Sequence, residues 1–250
     1  MASDDTAKLI SGGDISLGAV EKRLLARMPL HTITSVHGEA GLRERLLLEI
    51  ARFPAADQAR AESAMALASR LHANDRRQRE PYVNHLLRVT IRILSHYRVT
   101  DPDVACAALL HDAVEDHQSD ISPSGTRQAA FSELAGQFGE RTAELVAAVT
   151  NPVYETGRDE HEQYREHVSD SLEASPWARV IKVSDFTDNA VGLLYATGPK
   201  LSTLTAKYRP LVPVLRELIL RADTPLDPDV REMIAEQLDD AEERFAAIAG

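Results

Sequence analysis

The chain is 250 residues long, 44% hydrophobic but only 5% aromatic, with a formal net charge of −11 and a single cysteine. This length suits one large domain or a domain with an appendage, and the apolar content supplies a sizeable core. The acidic balance argues against a general nucleic-acid binder, and Cys106 alone excludes an internal disulfide and a cysteine-based zinc site.

Residues 1–20 are polar and contain glycines, so no fixed element is expected there; they also lack the basic start and apolar run of a secretory signal. No later stretch approaches membrane-spanning length, and a soluble, cytoplasmic protein is expected. The run 41–53 has helical periodicity, with Leu42, Leu46, Leu47 and Ile50 on one face. After Pro54 a second helix follows, with a diffuse apolar face of Ala59, Met65, Leu67 and Leu71, and a charged loop ends it at Pro81. Helix resumes over "YVNHLLRVTIRILSHY". Asp101 then caps the next helix, with Pro102 at its first position, and this helix runs through "DVACAALLHDAVEDH". Cys106 lies among alanines and reads as a buried core residue.

Beyond the loop at Ser122–Gly125, residues 129–150 make one or two helices, broken near Gly139. Helix is expected again from about residue 160, from Pro176, and over 200–220 with proline interruptions, before a terminal helix that starts with Asp227 and Pro228. Ala and Leu dominate and no convincing strand is present, so the fold class is all-α.

The stretch "LLHDAVEDH" at 109–117 packs five ionisable residues behind two leucines. On a helix, His111, Asp112 and Glu115 share a face, and Asp116 is four residues from Asp112. Carboxylates on neighbouring turns repel one another; a divalent cation would offset that, and so would a solvated helix end. His85 lies near the start of an apolar helix, where a histidine is more often partly buried and hydrogen-bonded than a ligand. Asp185 sits in an apolar segment and needs a partner, either an ion or Lys182; Asn189 lies four residues on. The arginines in "RRQR" at 76–79 are either a surface run or a phosphate clamp.

Taken together, His85, His111-Asp112 and Asp185 form an H…HD…D pattern similar to that of the HD metal-dependent phosphohydrolases. "EPYVNH", "ALLHDAVED" and "VIKVSDFTDN" resemble more narrowly the hydrolase domain of RelA/SpoT-type enzymes and the small alarmone hydrolases, over roughly residues 59–220. The resemblance implies an all-α HD-domain helical bundle with extra N- and C-terminal helices: an extension over 1–55, the hydrolase domain over 56–222, and a C-terminal helix over 223–250 packing on or beside the core. It implies an enzyme that removes the 3′-pyrophosphate of (p)ppGpp or (p)ppApp with manganese or another divalent ion, giving pyrophosphate and a nucleoside 5′-phosphate (GDP or GTP). By the same resemblance His85, His111, Asp112 and Asp185 hold the metal, and Glu115 and Asp116 handle the attacking water. Arg76, Arg77, Asn189 and Tyr208 contact the nucleotide. The partner is a small nucleotide rather than nucleic acid or membrane, and the outer helices are free to mediate a homo-oligomer.

This sequence departs from the family at Arg79 (usually glycine), Phe186 (usually basic), Ala190-Val191-Gly192-Leu193, and "VTNP" in place of "VTKL" at 149–152. All lie where substrate would sit, so the departures bear on the nucleotide more than on the metal chemistry. Two other readings remain open: an HD-type 5′-nucleotidase acting on another nucleotide, and a nucleotide-binding module without catalysis.

Overall fold

A computed structural model of the chain describes residues 19–77, 80–192 and 199–249. Among these residues every regular element is helical, and the only bridge is an isolated pairing of Arg76 with Pro81. In chain order the helices are α1 (Ala19–Leu25), α2 (Leu30–Ile50), α3 (Ala55–Leu71), α4 (Val83–Ile91), α5 (Pro102–Leu110) and α6 (Ala113–Ile121). They continue with α7 (Arg127–Phe138), α8 (Glu140–Val149), α9 (Glu160–Ala174), α10 (Pro176–Gly192), α11 (Pro199–Tyr208), α12 (Val212–Leu220) and α13 (Pro228–Ala249). A π-helical turn, Arg92–His96, extends α4. The expectation for residues 1–20 falls almost wholly outside the described residues.

Local chemistry sets these boundaries. Asp101 accepts from the backbone N–H groups of Asp103 and Val104 at 3.0 and 3.4 Å, with Pro102 at the first helical position of α5. Gly139, at φ 96°, separates α7 from α8, a conformation that side-chain-bearing residues rarely adopt.

Two sequence expectations are corrected. The exposed Ala59 is not part of the buried face of α3, which is Ala61, Ala64, Ala68 and Leu71. Small residues on that face suit close packing against α5, itself rich in buried alanine. Nor is "DVACAALLHDAVEDH" one helix, because it breaks at His111-Asp112 between α5 and α6. His111 Nδ1 lies 2.8 Å from the Ala108 carbonyl, the acceptor that an uninterrupted helix would give to the Asp112 N–H.

One buried apolar cluster runs from Leu25 in α1 to Phe245 in α13. α10 passes through its centre, against α4, α8, α9 and α12. Cys106 is buried in α5, and burial pushes its thiol up to about 12, which leaves it unreactive. No helix among the described residues is long and apolar enough to cross a membrane.

Candidate active site

Three segments converge beneath the surface: the start of α4 brings His85, the α5–α6 break brings His111 and Asp112, and α10 brings Asp185. His85 Nε2 lies 3.2 Å from Asp185 Oδ1 and 3.9 Å from Asp112 Oδ2. His111 Nε2 lies 3.1 Å from Asp112 Oδ2 and 3.8 Å from Asp185 Oδ1. Both imidazoles are buried, and His111 Nε2 has no hydrogen-bond partner. A buried ring nitrogen left without a hydrogen bond, facing two carboxylates, is the donor set that a divalent cation completes.

The far side of each ring is pinned. His111 Nδ1 donates to Ala108 O, and His85 Nδ1 donates to Asp188 Oδ2 at 2.8 Å, so both Nε2 atoms are directed at the carboxylates. Burial opposes the charge on His111, yet Asp112 and Asp185 hold its pKa well above the ordinary histidine value. Burial likewise opposes the charge on Asp185, but Lys182 and the two histidines hold its carboxyl well below the usual carboxylate range. Lys182 Nζ is 3.1 Å from Asp185 Oδ2. The salt bridge and the ligand reading are therefore compatible, one oxygen serving each. Tyr82 donates its hydroxyl to Asp112 Oδ2 at 2.7 Å.

Asp188 carries no role in the sequence reading. It is buried, bonds His85, accepts both Nε and Nη2 of Arg88 at 2.9 Å, and meets Arg92 at 3.1 Å. Glu80 pairs with the outer edge of Arg88 at 2.6 Å. The available signal was a second aspartate, three residues after Asp185, in the same largely apolar helix.

Glu115 and Asp116 sit on α6 at the exposed rim rather than inside the cluster. The Glu115 carboxylate accepts from the backbone N–H and side-chain amide of Asn151 at 3.1 and 2.9 Å. Partial burial of its carboxyl, then Asp112 and Glu115, push Asp116 up to about 6. Crowding by Glu115 thus contributes, but burial and Asp112 contribute more.

Asn189 joins the cluster to a cavity. Its amide nitrogen donates to Asp185 Oδ1 at 2.7 Å, and its oxygen accepts from Arg77. Arg77 also lies over the Tyr82 ring at 5.6 Å, and its Nη1 is buried without a hydrogen-bond partner. Arg76 is exposed beside it. The cavity, 980 Å³ in volume, is lined by Arg76, Arg77, Asn189 and Tyr208, but not by His85, His111, Asp112 or Asp185. It runs on between α2 and α13, on the Asp188 side of His85.

Residues 64–174 match the HD domain family. The matched segment runs from within α3 to the end of α9, a little under half of the chain. The chain is 32% identical over 121 residues to the guanosine-3′,5′-bis(diphosphate) 3′-pyrophosphohydrolase MESH1 of Drosophila melanogaster, covering 47% of this chain and 60% of that one. It is 33% identical over 126 residues to MESH1 of Homo sapiens, covering 49% and 63%. The guanosine-3′,5′-bis(diphosphate) 3′-pyrophosphohydrolase of Aquifex aeolicus is 29% identical over 154 residues, 61% of this chain and 20% of that one. The alignment with the first of these relatives thus spans about three-fifths of its length. A solved structure described as a metazoan ortholog of SpoT that hydrolyses ppGpp superposes with a TM-score of 0.58 at 26% identity, covering 77% of this chain and 97% of that one.

The departures from the family pattern now have structural settings. Phe186 is buried, edge-on to Tyr208 at 6.0 Å and to Phe245 of α13 at 6.3 Å, so it anchors the C-terminal helix where the family pattern has a basic residue. Asn151, in "VTNP", holds Glu115. Val191 and Gly192 end α10, whereas Arg79 and Leu193 lie outside the described residues.

Proposed function

We propose that this chain is a metal-dependent phosphohydrolase that removes the 3′-pyrophosphate of (p)ppGpp-like nucleotides, with manganese the preferred ion. We read residues 56–222 as the hydrolase unit, with 1–55 and 223–250 as additions, and place the protein in the cytoplasm with a small nucleotide rather than nucleic acid as its partner. The observation that carries the reading is the buried convergence of His85, His111, Asp112 and Asp185, with His111 Nε2 unpartnered. The similarity to proteins named for this reaction supports the choice of substrate.

An ion held by these four side chains would offset phosphate charge and make a nearby water easier to deprotonate. Water adds to the phosphorus bonded to the 3′ oxygen while the P–O3′ bond breaks. Asp116 accepts the water proton, and Asn151 holds Glu115 beside it. Arg77, with a free buried Nη1 donor, and Arg76 bind the phosphates, while Asn189 fixes Arg77 relative to Asp185. Tyr208 lines the nucleotide side. The 3′ oxygen leaves and takes up a proton, returned from Asp116 through solvent, giving pyrophosphate and GDP or GTP.

A screen of (p)ppGpp, (p)ppApp and deoxynucleoside monophosphates with manganese, with products identified by mass, tests the reading. Pyrophosphate from a 3′-substituted purine nucleotide is the expected product. Inorganic phosphate released from simple 5′-nucleotides, with no pyrophosphate from any 3′-substituted one, overturns it in favour of a nucleotidase.

A further inference from the structure

The run "HDAVEDH" ends in His117, which the hydrolase reading leaves unused. His117 Nε2 lies 2.7 Å from Asp75 Oδ2, and His72 Nδ1 lies 2.8 Å from the same oxygen. The two rings meet edge to face at 4.6 Å. His117 Nδ1 faces Asp120 Oδ2 at 3.2 Å. The His72 side chain is 1% exposed and that of His117 14%, whereas Asp75 is 35% exposed.

One carboxylate oxygen therefore faces two imidazole nitrogens, a position that either two N–H protons or one divalent cation can fill. Asp120 is placed to take the Nδ1 proton of His117, which would leave the Nε2 lone pair directed at Asp75 and His72. A carboxylate behind a histidine is the common outer support of a metal-bound imidazole. Two imidazoles and a carboxylate, with one side toward solvent, match a three-ligand zinc site that keeps a position for water. We propose that His72, Asp75 and His117 bind a zinc-class divalent ion at a second site. Ligands of zinc sit about 3.3 Å apart, so Asp75 must withdraw by about half an ångström, and its loop position permits this.

The site is distinct from the HD cluster and shares no ligand with it. Tyr82 lies between, stacked on His72 at 4.8 Å while its hydroxyl reaches Asp112. The ion would tie the loop after α3 to α6. Asp75 directly precedes Arg76 and Arg77, so the tie fixes the base of the loop that carries both arginines.

The test is metal content. Metal-stripped protein is loaded with zinc, desalted and assayed by mass spectrometry, with cobalt absorption as a second readout. Two ions per chain are expected for the parent and one for His117→Ala and for Asp75→Asn. In a His111→Ala background one ion is expected to remain, and none when His117→Ala is added. That background isolates the second site from the hydrolase reading, whose failure would instead leave the parent with one ion, removed by His117→Ala or Asp75→Asn but not by His111→Ala. If His111→Ala does not fold, as judged by circular dichroism, comparison of the parent with His117→Gln decides. Unchanged ion counts in His117→Ala and Asp75→Asn overturn the proposal and leave a proton-bridged His–Asp–His cluster.

Discussion

His85 Nδ1 and Asp188 Oδ2 lie 2.8 Å apart although 103 residues separate them in the chain. Burial opposes the charge on Asp188, but His85 and Arg88 hold its carboxyl well below the usual range, so it accepts and His85 Nδ1 donates. That bond turns Nε2 toward Asp185 and Asp112. Asp188→Asn is expected to weaken metal binding by about 10- to 100-fold, the usual effect of losing such a support. Asp188→Ala also strands Arg88 and Arg92, and is expected to cost about 3–5 kcal/mol of stability. Metal competition titrations and denaturant melts measure the two effects.

Metal and proton handling should separate by mutation. Asp185→Ala and His111→Ala are expected to lose the manganese of the HD cluster. Glu115→Gln and Asp116→Asn are expected to keep it while losing about 100-fold or more in turnover. A rim variant that loses metal along with activity would move that residue into the ligand set.

Arg77→Ala is expected to raise KM more than it lowers kcat, because the phosphate contacts proposed for it would form on binding, before the reaction. Steady-state kinetics on ppGpp with manganese give the split. A loss confined to kcat would place Arg77 in transition-state stabilisation instead.

Phe186 couples the cavity beside the site to α13 through Phe245 and Tyr208. Phe186→Ala should leave a cavity and cost about 3–5 kcal/mol. Chemical denaturation measures it. A change within about 0.5 kcal/mol, the scale of a surface substitution, would mean the C-terminal helix is not anchored there.

Asp101 caps α5 and pairs with Arg141 at 2.6 Å. Burial raises its carboxyl, but Arg141 and the cap bonds outweigh this and place it below the ordinary 3.8. Its folded-state value is therefore depressed: the stability it contributes is present above 3.8 and lost as the pH falls through the lower folded value. Asp101→Ala should cost about 1 kcal/mol at neutral pH and less in strong acid. Melts across that pH range check both parts.

The sequence by itself determined the all-α class, the cap at Asp101 and the break at Gly139, because capping, φ preference and a 3.6-residue apolar period are local properties. It also singled out His85, His111, Asp112 and Asp185 through their local motifs, and these four do meet. Only the tertiary structure decided the rest. Asp188 is an unremarked helix residue until α10 crosses α4. Ala59 and Ala61 are equally apolar until α5 selects a face of α3. The helix through His111 looks continuous until its side chain takes the Ala108 carbonyl. His72 and Asp75 meet His117 only because α6 folds back on the end of α3, and Phe186 reads as a lost charge until Phe245 arrives from α13. Apart from the His111–Ala108 bond, which joins residues three apart, each of these depends on contacts between residues far apart in the chain, which no local pattern encodes.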